Sequence, residues 1–267
     1  MKYAKRLFKQ SVHNRFFRGL AGFGRALNRL YENRNYDIHS NGELTVIRKI
    51  SALKPAVILD GGANIGKYSQ TLRRYIPDAR IFAFEPVNST FSELQLNLRD
   101  MVNIIPVNKG LYSENCLKEI NVFASSTHSS IYDAGEAGHS ISGKQQIQLI
   151  RGDDFVKENA IEKIDFLKLD LEGAEYDDLI GFSKCLAEKR IRVVQFEYGT
   201  INITTKKLLI DFYALFGEYG YAVGKIFPKT VEFRPYAHKY EDFLGPNFLA
   251  VDKDDADLIG LFGRKRA

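Results

Sequence analysis

Residues 57–66, VILDGGANIG, constrain the fold more than any other stretch of this chain. Val57, Ile58 and Leu59 form an unbroken apolar run of the kind that ends a buried parallel strand. Asp60 closes the run, and Gly61, Gly62 and Gly66 enclose Ala63, Asn64 and Ile65. Glycines at such a turn accept positive φ and let the backbone approach a ligand closely. Beyond Gly66, Tyr68, Leu72 and Tyr75 recur at helical spacing. Strand, glycine turn and helix in that order open a nucleotide-binding α/β unit; the competing reading is a tight turn that holds no ligand.

The turn also discriminates between nucleotides. A dinucleotide fingerprint requires G-x-G-x-x-G, whereas the register here is Gly61-x-Ala63-x-x-Gly66, with the Asp60 carboxylate beside it. A carboxylate repels a pyrophosphate and attracts a cation. S-adenosylmethionine carries a sulfonium and an ammonium and no phosphate, so the turn favours it over NAD. Glu85 ends the apolar run IFAF 19 residues after Gly66, near the spacing at which an acidic residue reaches a ribose. A carboxylate there can accept from both ribose hydroxyls. Residues 108–113, beginning at Asn108, follow a third strand at the end where adenine contacts are expected.

With 267 residues, 45% of them hydrophobic, the chain can bury a full core as one α/β unit. A net charge of +5 permits an anionic partner without requiring one. Cys116 and Cys185 are far apart and lack metal-type spacing, which argues for a reducing compartment and against a disulfide framework or a cysteine zinc site. No apolar run is long enough to span a bilayer, and the basic N-terminus lacks the uninterrupted apolar core of a secretory signal, so a cytoplasmic protein is expected.

Residues 1–36 are strongly basic, with Glu32 the single acid, and Leu7, Phe8, Val12, Phe16, Phe17, Leu20, Phe23, Leu27 and Leu30 interleave with the cations at roughly helical spacing. The favoured reading is one or two helices packed on the domain with a solvated basic face. The alternative is an interfacial helix in peripheral contact with anionic lipid at the inner membrane surface. Gly19, Gly22 and Gly24 are expected to interrupt any single long helix. The division predicted is a basic helical extension over 1–40 and an α/β domain over 41–267.

Within that domain, Asn41-Gly42 is a turn signal before a helix reaching Leu53, and strands are expected over 80–84, 103–107, 164–169, 191–196, 221–227 and 247–251. Asn88 or Ser89 would cap one helix; others are expected from Thr204 or Thr205 to Phe216 and over 254–262. Residues 117–123 and 146–150 alternate as strands with some exposure. The small, polar stretch 125–143 between them reads as a loop over the site, with His128 as a candidate base.

Carboxylates gather at strand ends. The strand over 164–169 runs into Asp170, Glu172 and Glu175, and the strand over 191–196 into Glu197. In open α/β sheets that edge is where ligands bind. Asp170 is assigned to the site, and Glu172 joins it if the strand extends that far. Glu175 is assigned to the start of the next helix, where the dipole favours an acid. Glu241 and Asn247, in the approach to the final strand, remain open between structural and functional roles.

DGGANIG (60–66), FEP (84–86), LKLDLEGAE (167–175) and QFEYG (195–199), with NGE at 41–43 as lead-in, occur in this order. Together they resemble the FkbM-type family of S-adenosylmethionine-dependent, class I methyltransferases, over roughly residues 41–251. The resemblance implies a Rossmann-like, seven-stranded, mostly parallel sheet with helices on both faces. It also implies O-methylation of a hydroxyl, often on a sugar or polyketide. Asp60, Gly62 and Asn64 would line the methionine end of the cofactor, Glu85 would bind its ribose, and Asp170 and Glu172 would border the transferring methyl group. Asn64 stands where many methyltransferases have glycine, and asparagine also tolerates the left-handed backbone.

Methyl transfer to an alcohol calls for a general base, and the candidates are Asp170, Glu172, Glu197 and His128. Metal-free base catalysis is expected, although the same carboxylates could hold a divalent cation. The expected acceptor is a small molecule or a glycan, a lipid-linked one included. A nucleic-acid acceptor is disfavoured by the acidic edge and by the lack of any Pro-Pro pair after the fourth strand. A non-catalytic binding module and an NAD-dependent oxidoreductase are the other classes considered.

Overall fold

The computed structural model describes residues 12–123 and 141–263. Its centre is a parallel sheet built from β1 (Val57–Gly61), β2 (Arg80–Phe84), β3 (Ile104–Val107), β7 (Phe166–Leu169) and β8 (Val193–Glu197). These runs are apolar on both faces because both faces are covered. Ile58, Ile81, Phe166 and Val193 pack into one buried cluster and Leu59, Phe82, Leu167 and Val194 into the other. Each large apolar side chain so buried contributes about 1.5–3 kcal/mol.

Two antiparallel additions extend the sheet: β11 (Asn247–Asp252) beside β8, and the hairpin of β9 (Tyr221–Phe227) with β10 (Thr230–Phe233). Among the described residues the order is β10-β9-β11-β8-β7-β1-β2-β3, eight strands rather than the seven expected. The extra strand is β10, which returns along β9 and buries Val231 beneath α10 (Ala256–Phe262). Helices α2 (Glu43–Ser51) and α3 (Lys67–Tyr75) cover one face of the sheet, with α10. Helices α5 (Gly152–Glu158), α6 (Glu175–Gly181), α7 (Ser183–Ala187) and α9 (Leu209–Glu218) cover the other. Helix α4 (Asn88–Leu98) follows β2.

A second sheet of three strands, β4 (Gly110–Tyr112), β6 (Ile141–Arg151) and β5 (Cys116–Phe123), stands beside the carboxyl edge of β2. β6 begins at Ile141, five residues earlier than the alternation suggested, because Ile141 pairs with Phe123. His128 and most of the expected loop lie outside the described residues.

Other local expectations are corrected. Neither Asn88 nor Ser89 caps α4; Val87 occupies the cap position, and its N–H donates to Glu85. The helix expected from Thr204 or Thr205 is two: α8 (Ile201–Thr205) ends at Lys206, which has φ 57°, and α9 starts afresh where Asp211 accepts from the Leu208 N–H. Glu241 proves to be a structural hub, accepting from the Leu209 and Ile210 N–H groups and from the Tyr198 and Tyr236 hydroxyls.

The N-terminal segment differs most. Residues Arg15–Tyr31 form one continuous 17-residue helix, α1, which runs through all three glycines. None of its residues is buried, so the expected packing on the domain does not occur. Among the described residues, no helix is long and apolar enough to cross a membrane.

Candidate active site

Strand order reverses between β1 and β7: β2 and β3 follow β1 in one direction, and β8 follows β7 in the other. The carboxyl ends of β1 and β7 therefore part and leave a crevice. The Asp170 N–H still donates to the Gly61 carbonyl at 3.1 Å, so the two chains separate only beyond that bond. Gly62 follows at φ 74°, and a Cβ there would overlap the Asp170 carbonyl oxygen; only glycine fits. Asn64 also takes a left-handed backbone, φ 50°, and Ala63 ties the turn to β2 by donating to the Phe84 carbonyl at 2.8 Å.

The crevice opens into a cleft of about 800 Å3, its mouth included. Gly62, Asn64 and Glu85 form one wall, Asp170, Leu171 and Glu172 another. The second sheet closes the far side with Tyr112, Ile120, Ile147 and Leu149, and Thr90 of α4 contributes from above. Five of the sequence-predicted residues thus meet in one place: Gly62, Asn64, Glu85, Asp170 and Glu172.

The others stand behind this lining. Gly61 belongs to β1 and Gly66 precedes α3, where a Cβ would approach Leu94 to 2.9 Å. Asn108 faces the chain rather than the cleft, donating to the carbonyls of Glu85 at 3.0 Å and Pro86 at 3.4 Å, and so fixes the turn that carries Glu85. Asp60 is fully buried below the floor. Ser69 donates to it at 2.6 Å, and the Lys168 ammonium lies 3.6 Å from its other oxygen. Its charge is met inside the protein, so it cannot face a cationic ligand directly. Burial raises its pKa, against Lys168, which lowers it.

Lys168 is the residue that sequence reasoning missed. It sits on β7, almost fully buried, with Asp170 at 3.2 Å, Asp60 at 3.6 Å and the Tyr68 ring centroid at 4.8 Å. Burial disfavours the ammonium, but Asp170, Asp60 and Glu43 outweigh it and raise the pKa. The signal was a lysine between Leu167 and Leu169: a cation inside a buried strand needs acidic partners. The same network explains residues 41–43. Asn41 donates to Glu43 at 2.7 Å, Gln195 donates to Glu43 at 2.7 Å, and the Tyr68 hydroxyl donates to Gln195 at 3.2 Å. The inward positions Ile120, Ile147 and Leu149 were legible only as alternation in β5 and β6.

The carboxyls at the edge are electrostatically unusual. Strand β7 ends at Leu169, so Asp170 and Glu172 do not share a strand face; they meet through a turn in which Glu172 has φ 52° and Gly173 φ 109°. Glu175 secures that turn by accepting from the Leu171 N–H at 2.6 Å and the Gly173 N–H at 3.0 Å, while burial pushes its pKa up to about 7. Burial, and then the charges of Asp170 and Glu175, push Glu172 up to about 8. Glu197 does not line the cleft but is hydrogen-bonded to Asp170; burial, then Asp170 and Glu172, push its pKa well above the carboxylate range. Glu85, buried and accepting from the N–H groups of Val87 and Asn64, is pushed up to about 7, chiefly by burial.

This cleft suits S-adenosylmethionine. The turn at Gly62, which lacks a side chain, could take the methionine end close to backbone, Glu85 could accept from a ribose diol, and the apolar wall could hold an adenine. The carboxyls favour a sulfonium and an ammonium, and a buried acidic floor gives a pyrophosphate nothing to bind. Sheet order and site together define a class I methyltransferase that uses S-adenosylmethionine. More particularly, residues 60–223 match the methyltransferase FkbM domain, and the chain belongs to that family.

The chain is similar to the hexuronic acid methyltransferase AglP of Haloferax volcanii, with 30% identity over 176 residues, 64% of this chain and 69% of that one. It is also similar to methyltransferase 1 of Beauveria bassiana, with 29% identity over 143 residues, 46% of this chain and 57% of the relative. A solved methyltransferase FkbM from Methylobacillus flagellatus KT aligns over 74% of this chain and 44% of its own, at 16% identity and TM-score 0.49. The chain thus spans less than half of that protein.

Proposed function

We propose that this enzyme methylates a hydroxyl of a sugar or glycan, with Glu172 as the general base. The observation that carries the proposal is a half-buried carboxyl, Glu172, lining the cleft beside Asp170, whose pKa is pushed up to about 8. An alcohol needs a base poised near the working pH, and a carboxylate with an ordinary pKa would be a weak one. The similarity to a hexuronic acid methyltransferase supports a sugar acceptor.

Bound S-adenosylmethionine supplies a methyl group made electrophilic by its sulfonium. The chain's residues hold and orient the reactants. Glu85 would accept from the ribose hydroxyls, and the turn from Gly62 to Asn64 would present backbone to the methionine end. Tyr112, Ile147 and Leu149 would exclude water from the adenine side. Asp170, held by Lys168 and Glu197, would fix the floor against which the acceptor oxygen lines up. Glu172 would take the hydroxyl proton on a carboxylate oxygen as the new carbon–oxygen bond forms and the methyl carbon–sulfur bond breaks, its electron pair remaining on the sulfur as a neutral thioether. Asp170 already engages the Lys168 ammonium, which supports a mechanism without a divalent metal. A polyphosphate acceptor fits poorly against this edge.

The test is methyl transfer from labelled S-adenosylmethionine to a panel of neutral and uronic-acid oligosaccharides, a catechol and an RNA, with and without chelator. The expected product is an alkali-stable methyl ether on a sugar hydroxyl, formed equally with chelator. A base-labile methyl ester on a uronic carboxyl, or label in the catechol or RNA alone, would overturn the proposal.

A further inference from the structure

We propose that α1 is a docking element for an anionic lipid bilayer, held at the active edge of the enzyme. Phe16, Leu20, Phe23, Leu27 and Leu30 repeat at intervals of four and three and form one stripe along the helix. They are 50% to 79% exposed, and nothing in the described domain covers them. Arg15, Arg18, Arg25 and Arg29 occupy the opposite and flanking positions, and α1 contains no acid. A basic face against an apolar stripe is the pattern of a helix lying in the interface plane, its apolar side among acyl chains and its cations among anionic headgroups.

Charge chooses between the occupants. Two copies packed through this stripe would cover the apolar side chains but leave the arginines of the opposite face without an anionic partner, since α1 contains no carboxylate. Residues 1–11 lie outside the described residues, but their sequence carries Lys2, Lys5, Arg6 and Lys9 and no acid, so they add to the same charge. A nucleic acid would satisfy the arginines and leave the apolar stripe in water. An anionic bilayer satisfies both faces. It also supplies the burial that a helix containing Gly19, Gly22 and Gly24 lacks, since short helices owe most of their stability to packing.

The anchoring is specific. Directly after α1, the Glu32 carboxylate pairs with the buried Lys225 ammonium at 2.7 Å. Asn33 is buried and donates to the Asn41 carbonyl at 2.7 Å and the Ile226 carbonyl at 3.0 Å. Lys225 is in register with Phe248, and Phe248 with Phe196, one residue before Glu197. The chain just beyond α1 is therefore anchored on β9 toward the carboxyl edge of the sheet, the same edge that carries the cleft, and docking of α1 would hold that edge near the membrane surface. The inference stands on α1 alone and does not depend on the acceptor; with a sugar acceptor, it selects a lipid-linked one.

The experiment is flotation of the full-length protein with vesicles of phosphatidylcholine and phosphatidylglycerol, roughly three to one, against pure phosphatidylcholine. The variant Leu20→Glu/Phe23→Glu changes only exposed side chains, so its thermal midpoint and S-adenosylmethionine affinity should match wild type. Binding should fall at least about tenfold in this variant, on neutral vesicles and in high salt. Equal binding to neutral vesicles, or none to anionic ones, would overturn the proposal. So would a wild-type dimer that the variant converts to monomer without vesicle binding, which would give the stripe to a second copy.

Discussion

The Lys168 ammonium lies 3.2 Å from an Asp170 carboxylate oxygen, with the buried Asp60 on its other side at 3.6 Å. One cation thus joins the first glycine-turn strand to the acidic strand end that borders the cleft. Removing it would leave Asp60 buried with Ser69 as its remaining hydrogen-bond partner. Lys168→Met should therefore destabilise the fold by about 3–5 kcal/mol, as breaking a buried pair on one side does. Urea unfolding measures this; a loss under about 1 kcal/mol would make the pair no better than a surface bridge.

Glu172 should be legible in the pH dependence of the reaction. With its pKa at about 8 in the free protein, the carboxylate base is scarce at acid pH. Turnover should rise with pH to a plateau, with its inflection at or below about 8, since a bound cation pulls a neighbouring carboxyl's pKa down. Glu172→Gln should lower kcat by about a hundred- to ten-thousandfold and abolish this limb, while cofactor affinity changes little. A variant retaining full kcat would remove Glu172 from the chemistry.

The same burial makes a prediction about stability. Glu85 and Glu175 are raised to about 7 and Glu172 to about 8 from 4.5. A carboxyl whose folded pKa exceeds its unfolded one stabilises most when protonated, and that contribution is lost as pH rises through the folded pKa. The ligand-free protein should therefore melt at a lower temperature at about pH 8.5 than at about pH 5.5. Saturating S-adenosylmethionine should narrow the gap. Thermal melts across this range check the sign, and a midpoint that climbs with pH would contradict it.

Much of this was legible in the sequence because the constraints are local. A glycine turn after VILD, an acid after IFAF and acids after FLKL each mark a strand's carboxyl end, and a parallel sheet brings such ends together. What escaped depends on tertiary contact. Asp60 looked like a ligand-facing carboxylate, but Lys168 reaches it only through β1–β7 pairing. The wall from β5 and β6 belongs to a separate sheet whose placement no local pattern encodes. For α1, helical spacing identified the stripe correctly, yet the expected burial failed, because amphipathicity does not say what an apolar face meets.

The most direct test is calorimetric titration with S-adenosylmethionine of the wild type and of Glu85→Gln, at pH values on either side of 7. The Glu85 carboxylate is the group proposed to accept from the ribose, and its pKa is pushed up to about 7. Wild-type affinity should rise with pH through that value, whereas Glu85→Gln should bind about ten- to a hundredfold more weakly, without that pH dependence. A folded wild type that binds no S-adenosylmethionine, with or without acceptor present, or a variant that binds as tightly with the same pH profile, would contradict the assignment of this cleft.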